Sequence, residues 1–367
     1  MTAARIGMAN LAAQHAPLRA EIEAAALRVL RSDRYILGPE VAAFEREIAQ
    51  FARVAHGVGV SSGSDALVAI LAACGIGAGD EVITTPLSFF ATAEAIVRVG
   101  ATPIFADIDP ETLNLDLAAA RARIGPRTRA VLVVHLFGRM VDPAPLAGAA
   151  VPIVEDAAQA IGASLPDGRG PGALGTAAAL SFFPSKNLGA MGDAGMVLTD
   201  DAGLAERVRA IRVHGAPSPH VHQTIGGNFR LDELQAALLR VKLPSLSTWM
   251  RRRREIVDVY RQAWADTPLG LPPGAPGCVW SQFVVRVPGG RRDALAARLA
   301  ARGIETVVYY PTPLHLQPAL AGLGGRRGQL PRAEAACAEV LAVPAHAQLT
   351  SDEIGRVCDE VRAFFGG

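Results

Sequence analysis

The sequence predicts an α/β protein: a large domain built on a mostly parallel central sheet, then a smaller α+β domain at the C-terminal end. Three observations carry this expectation. Short apolar, β-branched runs alternate with helical periodicities between Gly57 and Val154, the pattern of strands covered on both faces. Beyond Lys242 the texture changes to long helices, a Pro/Gly-rich connector and an isolated strand pattern. Half of the 367 residues are hydrophobic and only 19% are charged, which suits a well-buried core rather than a disordered chain.

The elements follow in order. Leu18, Ile22, Ala25 and Val29 keep helical spacing, as do Val41, Phe44, Ile48 and Phe51, so two amphipathic helices open the chain. Between them, Asp33 to Pro39 contains Gly-Pro and turns the chain. Strands are expected over 57–60, 81–84, 102–106, 130–134 and 151–154, with helices over 65–74 and 90–99. A further apolar run, ending at Ser181, reads as a buried strand. Helices are expected over 231–243 and 250–264, with Pro244 marking the break between them. After a connector at 269–277 come a strand at 279–287, a helix at 292–302 and a closing helix at 351–365. The boundary near Lys242 divides the chain into a large domain, residues 1–242, and a small one, residues 243–367.

Several function classes are excluded by composition. Lys plus Arg, at 36, nearly cancels Asp plus Glu, at 35, so no nucleic acid or anionic membrane is expected as partner. The start lacks a basic stretch followed by an apolar core, and no apolar segment is long enough to span a bilayer. The four cysteines, Cys74, Cys278, Cys337 and Cys358, lack metal-ligand spacing and read as thiols of a cytoplasmic protein. His214, His220 and His222 have no Cys or acidic partner at ligand spacing, so no metal site is expected. Arg251 to Arg254 reads as the solvated face of a helix, and the GxxGxxG spacing of Gly189 to Gly195 lacks the following helix of a dinucleotide site.

Chemistry is concentrated around one lysine. The chain has two, Lys186 and Lys242, and Lys242 falls in an ordinary helical pattern. Lys186 sits in Ser181-Phe182-Phe183-Pro184-Ser185-Lys186-Asn187-Leu188-Gly189, a small-residue loop after a strand. There, partial burial can lower its pKa and leave an amine able to form an imine with an aldehyde. Glu155-Asp156-Ala157-Ala158-Gln159 ends another apolar run. A carboxylate at a strand's end can keep a ring nitrogen protonated, although an aspartate there can equally cap a following helix.

Together these residues point to pyridoxal 5'-phosphate (PLP). Gln159 is placed to reach the ring's phenolic oxygen. Ser61-Ser62-Gly63-Ser64, between a strand and a helix, can turn free amides toward a phosphate or serve as a plain N-cap. Gly63 permits close approach, and the hydroxyls of Ser64 and Ser181 can add donors. Either Phe89 or Phe90, in Pro86-Leu87-Ser88-Phe89-Phe90-Ala91-Thr92, can stack on the ring or belong to the core. His315, in a loop after Tyr310, can face substrate or solvent.

The ordered blocks resemble the sugar aminotransferases of the DegT/DnrJ/EryC1/StrS family. They run from Leu37-Gly38-Pro39-Glu40-Val41 to Leu341-Ala342-Val343-Pro344. The strongest are Ser62-Gly63-Ser64-Asp65-Ala66-Leu67, Gly79-Asp80-Glu81-Val82-Ile83, Glu155 to Ala160, Ser181 to Gly195 and Asn228 to Ala237. The resemblance implies the aspartate aminotransferase fold (PLP fold type I), with Lys186 as the Schiff-base lysine and Asp156 as partner of the pyridine nitrogen. It further implies Gln159 at the phenolic oxygen and Phe89 on the ring. Gly63, Ser64 and Ser181 would hold the phosphate, Asn228 would reach the phosphate of a neighbouring subunit in a homodimer, and Tyr310 and His315 would approach substrate. Two positions depart from the pattern: Ile161 and Tyr309 stand where histidine is frequent.

The activity so implied is transfer of an amino group from L-glutamate to a nucleotide-linked ketosugar, in making amino sugars for a surface polysaccharide or a glycosylated natural product. The block from Asn228 to Ala237, with Leu239, Lys242-Leu243 and Trp249, looks more like enzymes that aminate C3 than C4. Two rival readings keep the cofactor: a sugar dehydratase or deoxygenase, whose members carry histidine in place of the lysine, and a non-catalytic regulatory protein.

Overall fold

Seven strands form the central sheet: β1 (His56–Val60), β2 (Glu81–Thr84), β3 (Thr102–Phe105), β4 (Thr128–Val134), β5 (Ile153–Asp156), β6 (Ala177–Ser181) and β7 (Gly195–Thr199). The structure, a computed structural model, describes residues 5–216, 218 and 220–366; Pro217 and Pro219, in the histidine-containing stretch, lie outside them. The strand order is β1-β7-β6-β5-β4-β2-β3. Only β7 runs against the rest, pairing antiparallel with both β1 and β6. The C-terminal ends of β1, β2, β4, β5 and β6 therefore share one edge, and β7 begins there.

Both faces of the sheet are covered, as its near-continuous apolar strands require. On one face lies the helix Gly63–Ala73, in which Ala66 to Leu71 are all buried, packed with helix Ala202–Ile211. On the other, the first helices show the expected amphipathic stripes. Ile22, Ala25 and Val29 of helix Arg19–Ser32 pack against Ala237 and Leu238 of helix Glu233–Lys242. Val41, Phe44 and Ile48 of helix Pro39–Ala52 join a core with Phe182, Leu231 and Leu239. Asp33 and Leu37 take left-handed backbone conformations where the turn between the two helices was expected.

A second core gathers around a two-stranded antiparallel sheet, β8 (Phe283–Arg286) and β9 (Val340–Val343), and the helices Leu246–Ala263, Arg292–Ala301 and Ser351–Phe365. Tyr260 and Trp264 stack in its centre with ring centroids 4.8 Å apart. Helix Leu246–Ala263 spans two cores: Leu246 and Met250 pack with Phe44 and Phe182, whereas Ile256, Val257 and Tyr260 belong to the second. Ile6, from the other end of the chain, also enters this second core and bridges to Ile304.

Some elements differ from the sequence pattern. β7 and helix Ala202–Ile211 were not expected, because β7 begins inside a glycine-rich loop that masks its apolar run. The same holds for helix Pro331–Glu339 and β9, which follow one another without a turn. The strand expected over 279–287 shortens to β8, since Trp280 takes a positive φ of 45° and ends the extended run. The described residues contain no helix long and apolar enough to cross a membrane.

Phe44 tests the larger core. It is fully buried and meets the Phe182 ring edge-on at 5.2 Å, directly beneath the loop that carries Lys186. Phe44→Ala should lower unfolding free energy by about 3–5 kcal/mol, read from denaturant titration.

Candidate active site

A cavity of about 560 Å³ opens at the shared strand edge, where open parallel sheets bind ligands. Its wall includes Gly63, Ser64, Phe89, Asp156, Gln159 and Ser181, with Lys186 and Tyr310. The sequence-selected residues that converge there thus come from five separate stretches of chain.

Asp156, the last residue of β5, is buried. One carboxylate oxygen accepts a hydrogen bond from Thr92 Oγ1 at 2.7 Å, the other from the Ala158 backbone N–H at 3.2 Å. Because the Thr92 proton is committed to Asp156, the 2.7 Å contact between Ser88 and Thr92 runs with Ser88 as donor. Turns rather than a helix follow Asp156, so it caps nothing. Its neighbour Glu155 is equally fixed, accepting from the N–H of Gly175 at 2.8 Å and contacting His135 Nε2 at 2.8 Å. His135 Nδ1 accepts from the Val141 N–H at 3.1 Å, which leaves the proton on Nε2, facing Glu155.

Lys186 stands on a closed loop. Its N–H donates to the Phe183 carbonyl at 2.8 Å, and the Ala190 N–H returns to the Phe182 carbonyl at 2.7 Å. Burial pulls the Lys186 ammonium below its ordinary pKa, and the negative charge of Asp156 works in the opposite direction. An amine so placed is closer to its nucleophilic form than a surface lysine would be.

The turn after β1 is pressed against the ends of β6 and β7. A Cβ on Gly63 would lie 2.7 Å from the Ser181 Cβ, and one on Gly195 would strike the Ser62 carbonyl group. Ser62 caps the helix by accepting from the Asp65 N–H at 3.0 Å. Ser62 serves the cap, while the first-turn amides beside Ser64 have no intrahelical acceptor and are free to meet a ligand.

The phenylalanine pair separates cleanly. Phe90 packs with Ala93, Leu314 and Leu320, whereas Phe89 is 59% exposed and lines the cavity, its ring 6.3 Å from that of Tyr310. Gln159 is oriented by the Phe137 N–H, which donates to Oε1 at 2.5 Å, so its amide nitrogen faces Tyr310 Oη at 3.3 Å. Burial pushes the Tyr310 phenol well above its usual pKa.

Two sequence-selected residues are not brought to this cavity. His315 is buried beside Phe105 and directs Nε2 at Glu334, 3.2 Å away, because the Leu314 N–H is anchored to the Pro86 carbonyl and turns the following side chain elsewhere. Asn228 is exposed, in a bridge with Val213, and does not line this chain's own cavity. Sequence reasoning had no role for Thr92, Ser88 or Gln282. Thr92 and Ser88 lie four apart at a helix start, a spacing that offers a shared face but no hint of a partner 64 residues away. Among the described residues no cluster of His, Cys, Asp and Glu is arranged to hold a metal ion.

The sequence profile of the DegT/DnrJ/EryC1/StrS aminotransferase family matches residues 17–362. The chain belongs to that family. As a member it is a PLP-dependent aminotransferase of fold type I, and the buried carboxylate, burial-shifted amine and glycine-lined turn suit that cofactor. It is 45% identical over 98% of its length to a "Pleiotropic regulatory protein" of Geobacillus stearothermophilus, covering 98% of that protein. It is also 45% identical to the "dTDP-3-amino-3,4,6-trideoxy-alpha-D-glucose transaminase" of Streptomyces venezuelae, covering 98% of this chain and 96% of that one. A crystal structure of S. venezuelae DesV in complex with a ketimine intermediate superposes with a TM-score of 0.95, at 44% identity and 99% coverage of both chains.

The opposed influences on Lys186 give a prediction with a definite sign. In the cofactor-free protein Lys186 should acylate with a midpoint below the ordinary lysine pKa, and Asp156→Asn should move it lower still by removing the charge that favours the ammonium. Peptide mass spectrometry across a pH series measures this, and an upward shift would contradict the arrangement.

Proposed function

We propose that this aminotransferase moves the amino group of L-glutamate onto a nucleotide-linked ketosugar, with the 3-keto position preferred to the 4-keto. The observation that carries the reading is Asp156 held in the same cavity as the burial-shifted amine of Lys186. The family membership supports the chemistry, and the 3-amino product named for the Streptomyces relative supports the position.

Bound PLP supplies an electrophilic aldehyde carbon and a ring that accepts electrons when its nitrogen is protonated. Asp156 holds that proton, its own carboxylate fixed by Thr92 and Ala158. Lys186 would hold the cofactor at rest and, once released, its amine would move a proton between the substrate's reacting carbon and the cofactor's aldehyde carbon as general base and acid. Gln159, its amide locked by Phe137, offers an N–H toward the phenolic oxygen. Phe89 covers the ring face, and Gly63, Ser64 and Ser181 receive the phosphate. Tyr310 closes the substrate side.

The working unit we propose is a cytoplasmic homodimer. Phe183, on the cavity wall, and Ile225 are exposed at 52% and 91%, apolar groups that a second copy would cover. Asn228, outside its own chain's cavity, then serves the phosphate of the partner. The name of the Geobacillus relative favours a second reading, a regulator that binds PLP without turnover. Retention of Lys186 speaks against both that reading and deoxygenation.

Lys186→Ala should abolish amino transfer, at least 10⁴-fold, and remove the visible absorbance of the covalently held cofactor. Bleaching of the wild-type band on adding glutamate, then product formation from 3-keto but not 4-keto nucleotide sugars, is the expected result. A bleached band with only 4-amino product would overturn the position, and an unbleached band the transaminase reading.

A further inference from the structure

The other lysine is not the ordinary helical residue its pattern suggests. Lys242 closes helix Glu233–Lys242 and is fully buried, among the largest side chains in the molecule to be so. No ion pair reaches it among the described residues. Its ammonium instead donates to the Gly189 carbonyl and to His15 Nε2, the latter at 3.0 Å. A charge buried without a counter-ion is costly and depends on its hydrogen bonds for compensation, so these two contacts are tightly constrained.

What it holds is the base of the Lys186 loop. The segment from Phe182 to Ala190 is closed by the Ala190-to-Phe182 hydrogen bond, and a Cβ on Gly189 would collide with the Pro184 carbonyl. The loop therefore has little internal slack, and shifting Gly189 shifts Lys186. A second side chain of the same helix grips the next stretch: Gln235 Oε1 accepts from the Met191 N–H at 2.9 Å. His15 ends the short helix Leu11–His15, so the N-terminal segment supplies the far side of the anchor.

We infer that Lys242 is a positioning residue for Lys186, its ammonium pinning the Gly189 carbonyl to the N-terminal helix through His15. The inference rests on the proposed role of Lys186. Burial brings Lys242 down to about 8, and it draws His15 below its usual value as well, burial of that ring being the larger influence. Near neutral pH this leaves an ammonium donor facing a neutral imidazole acceptor, the arrangement the two contacts need. An amine that must meet a reacting carbon within about 3–3.5 Å loses rate steeply when its support moves.

Lys242→Met keeps an unbranched apolar chain one atom shorter and removes both donations; Lys242→Gln, equally short, keeps an uncharged donor. Both are tested in the full chain, with three readouts: kcat against KM, equilibrium dialysis of PLP onto the cofactor-free protein, and the acylation rate of Lys186. The last is clean because the sequence holds only two lysines. For K242M we expect kcat to fall about 10- to 100-fold with KM values within about threefold. PLP affinity should fall about tenfold and Lys186 acylation change at least about threefold, with K242Q intermediate on each scale. A folded variant with wild-type acylation, affinity and kcat, even with a lowered Tm, overturns the inference; if K242M does not fold, wild-type values in K242Q do so. Should the wild-type protein not transfer amino groups, the reading of its function fails, while the acylation of Lys186 still judges Lys242.

Discussion

The structure depends on keeping a carboxylate and an amine with opposite preferences in one partly dry space. Asp156 stays usable because a hydroxyl and a backbone N–H are built around it before any ligand arrives. Lys186 is usable because burial works against its charge, yet Asp156 stops that effect from running to completion. Burial and Asp156 therefore act on the amine together. Remove the carboxylate and the amine is over-neutralised; expose the amine to water and it becomes an ordinary surface ammonium.

The sheet makes this meeting possible. Parallel strands deliver their C-terminal ends and following loops to one edge, so Asp156 at the end of β5, the Lys186 loop after β6, the serine turn after β1 and Phe89 after β2 arrive together although they are spread over residues 61–186. β7, the one antiparallel strand, has a separate task. Entering at that edge, it lays Gly195 against Ser62, where any side chain would push the serine turn away. Gly195 lets β7 approach this turn and Gly63 lets the turn approach Ser181 of β6, and together these contacts hold the turn near the lysine.

Much of this was legible in the sequence because it depends on local pattern. The two amphipathic N-terminal helices, strands β1 to β5 and the small-residue turn all announce themselves through periodicity or helix-start residues. So did the pairing of Lys186 with Asp156, since strand ends are where reactive side chains are displayed. What escaped depends on distant partners. Thr92 matters through an aspartate 64 positions away, and Lys242 through Gly189 and His15, neither of which is near it in sequence. β7 escaped for a different reason: the glycines needed for close approach erase the β-branched signature at its start. His315 was credible as a loop histidine until the packing of Leu314 against Pro86 directed it toward Glu334.

The scarcity of lysine draws these strands together. With 34 of the 36 Lys and Arg residues arginine, the surface needs no lysine for solubility, and arginine's planar, permanently charged group suits half-buried pairs such as those with Glu47 and Glu339. Lysine persists at two positions whose demands arginine cannot meet. At 186 the proposed role needs a group that loses its proton within an accessible range, which a guanidinium does not do. At 242 the space is enclosed and the acceptors are one carbonyl and one imidazole, a geometry for a compact ammonium rather than a fork. The residue proposed to react and the residue beneath its loop are thus the same type for different physical reasons, one for its proton and the other for its shape.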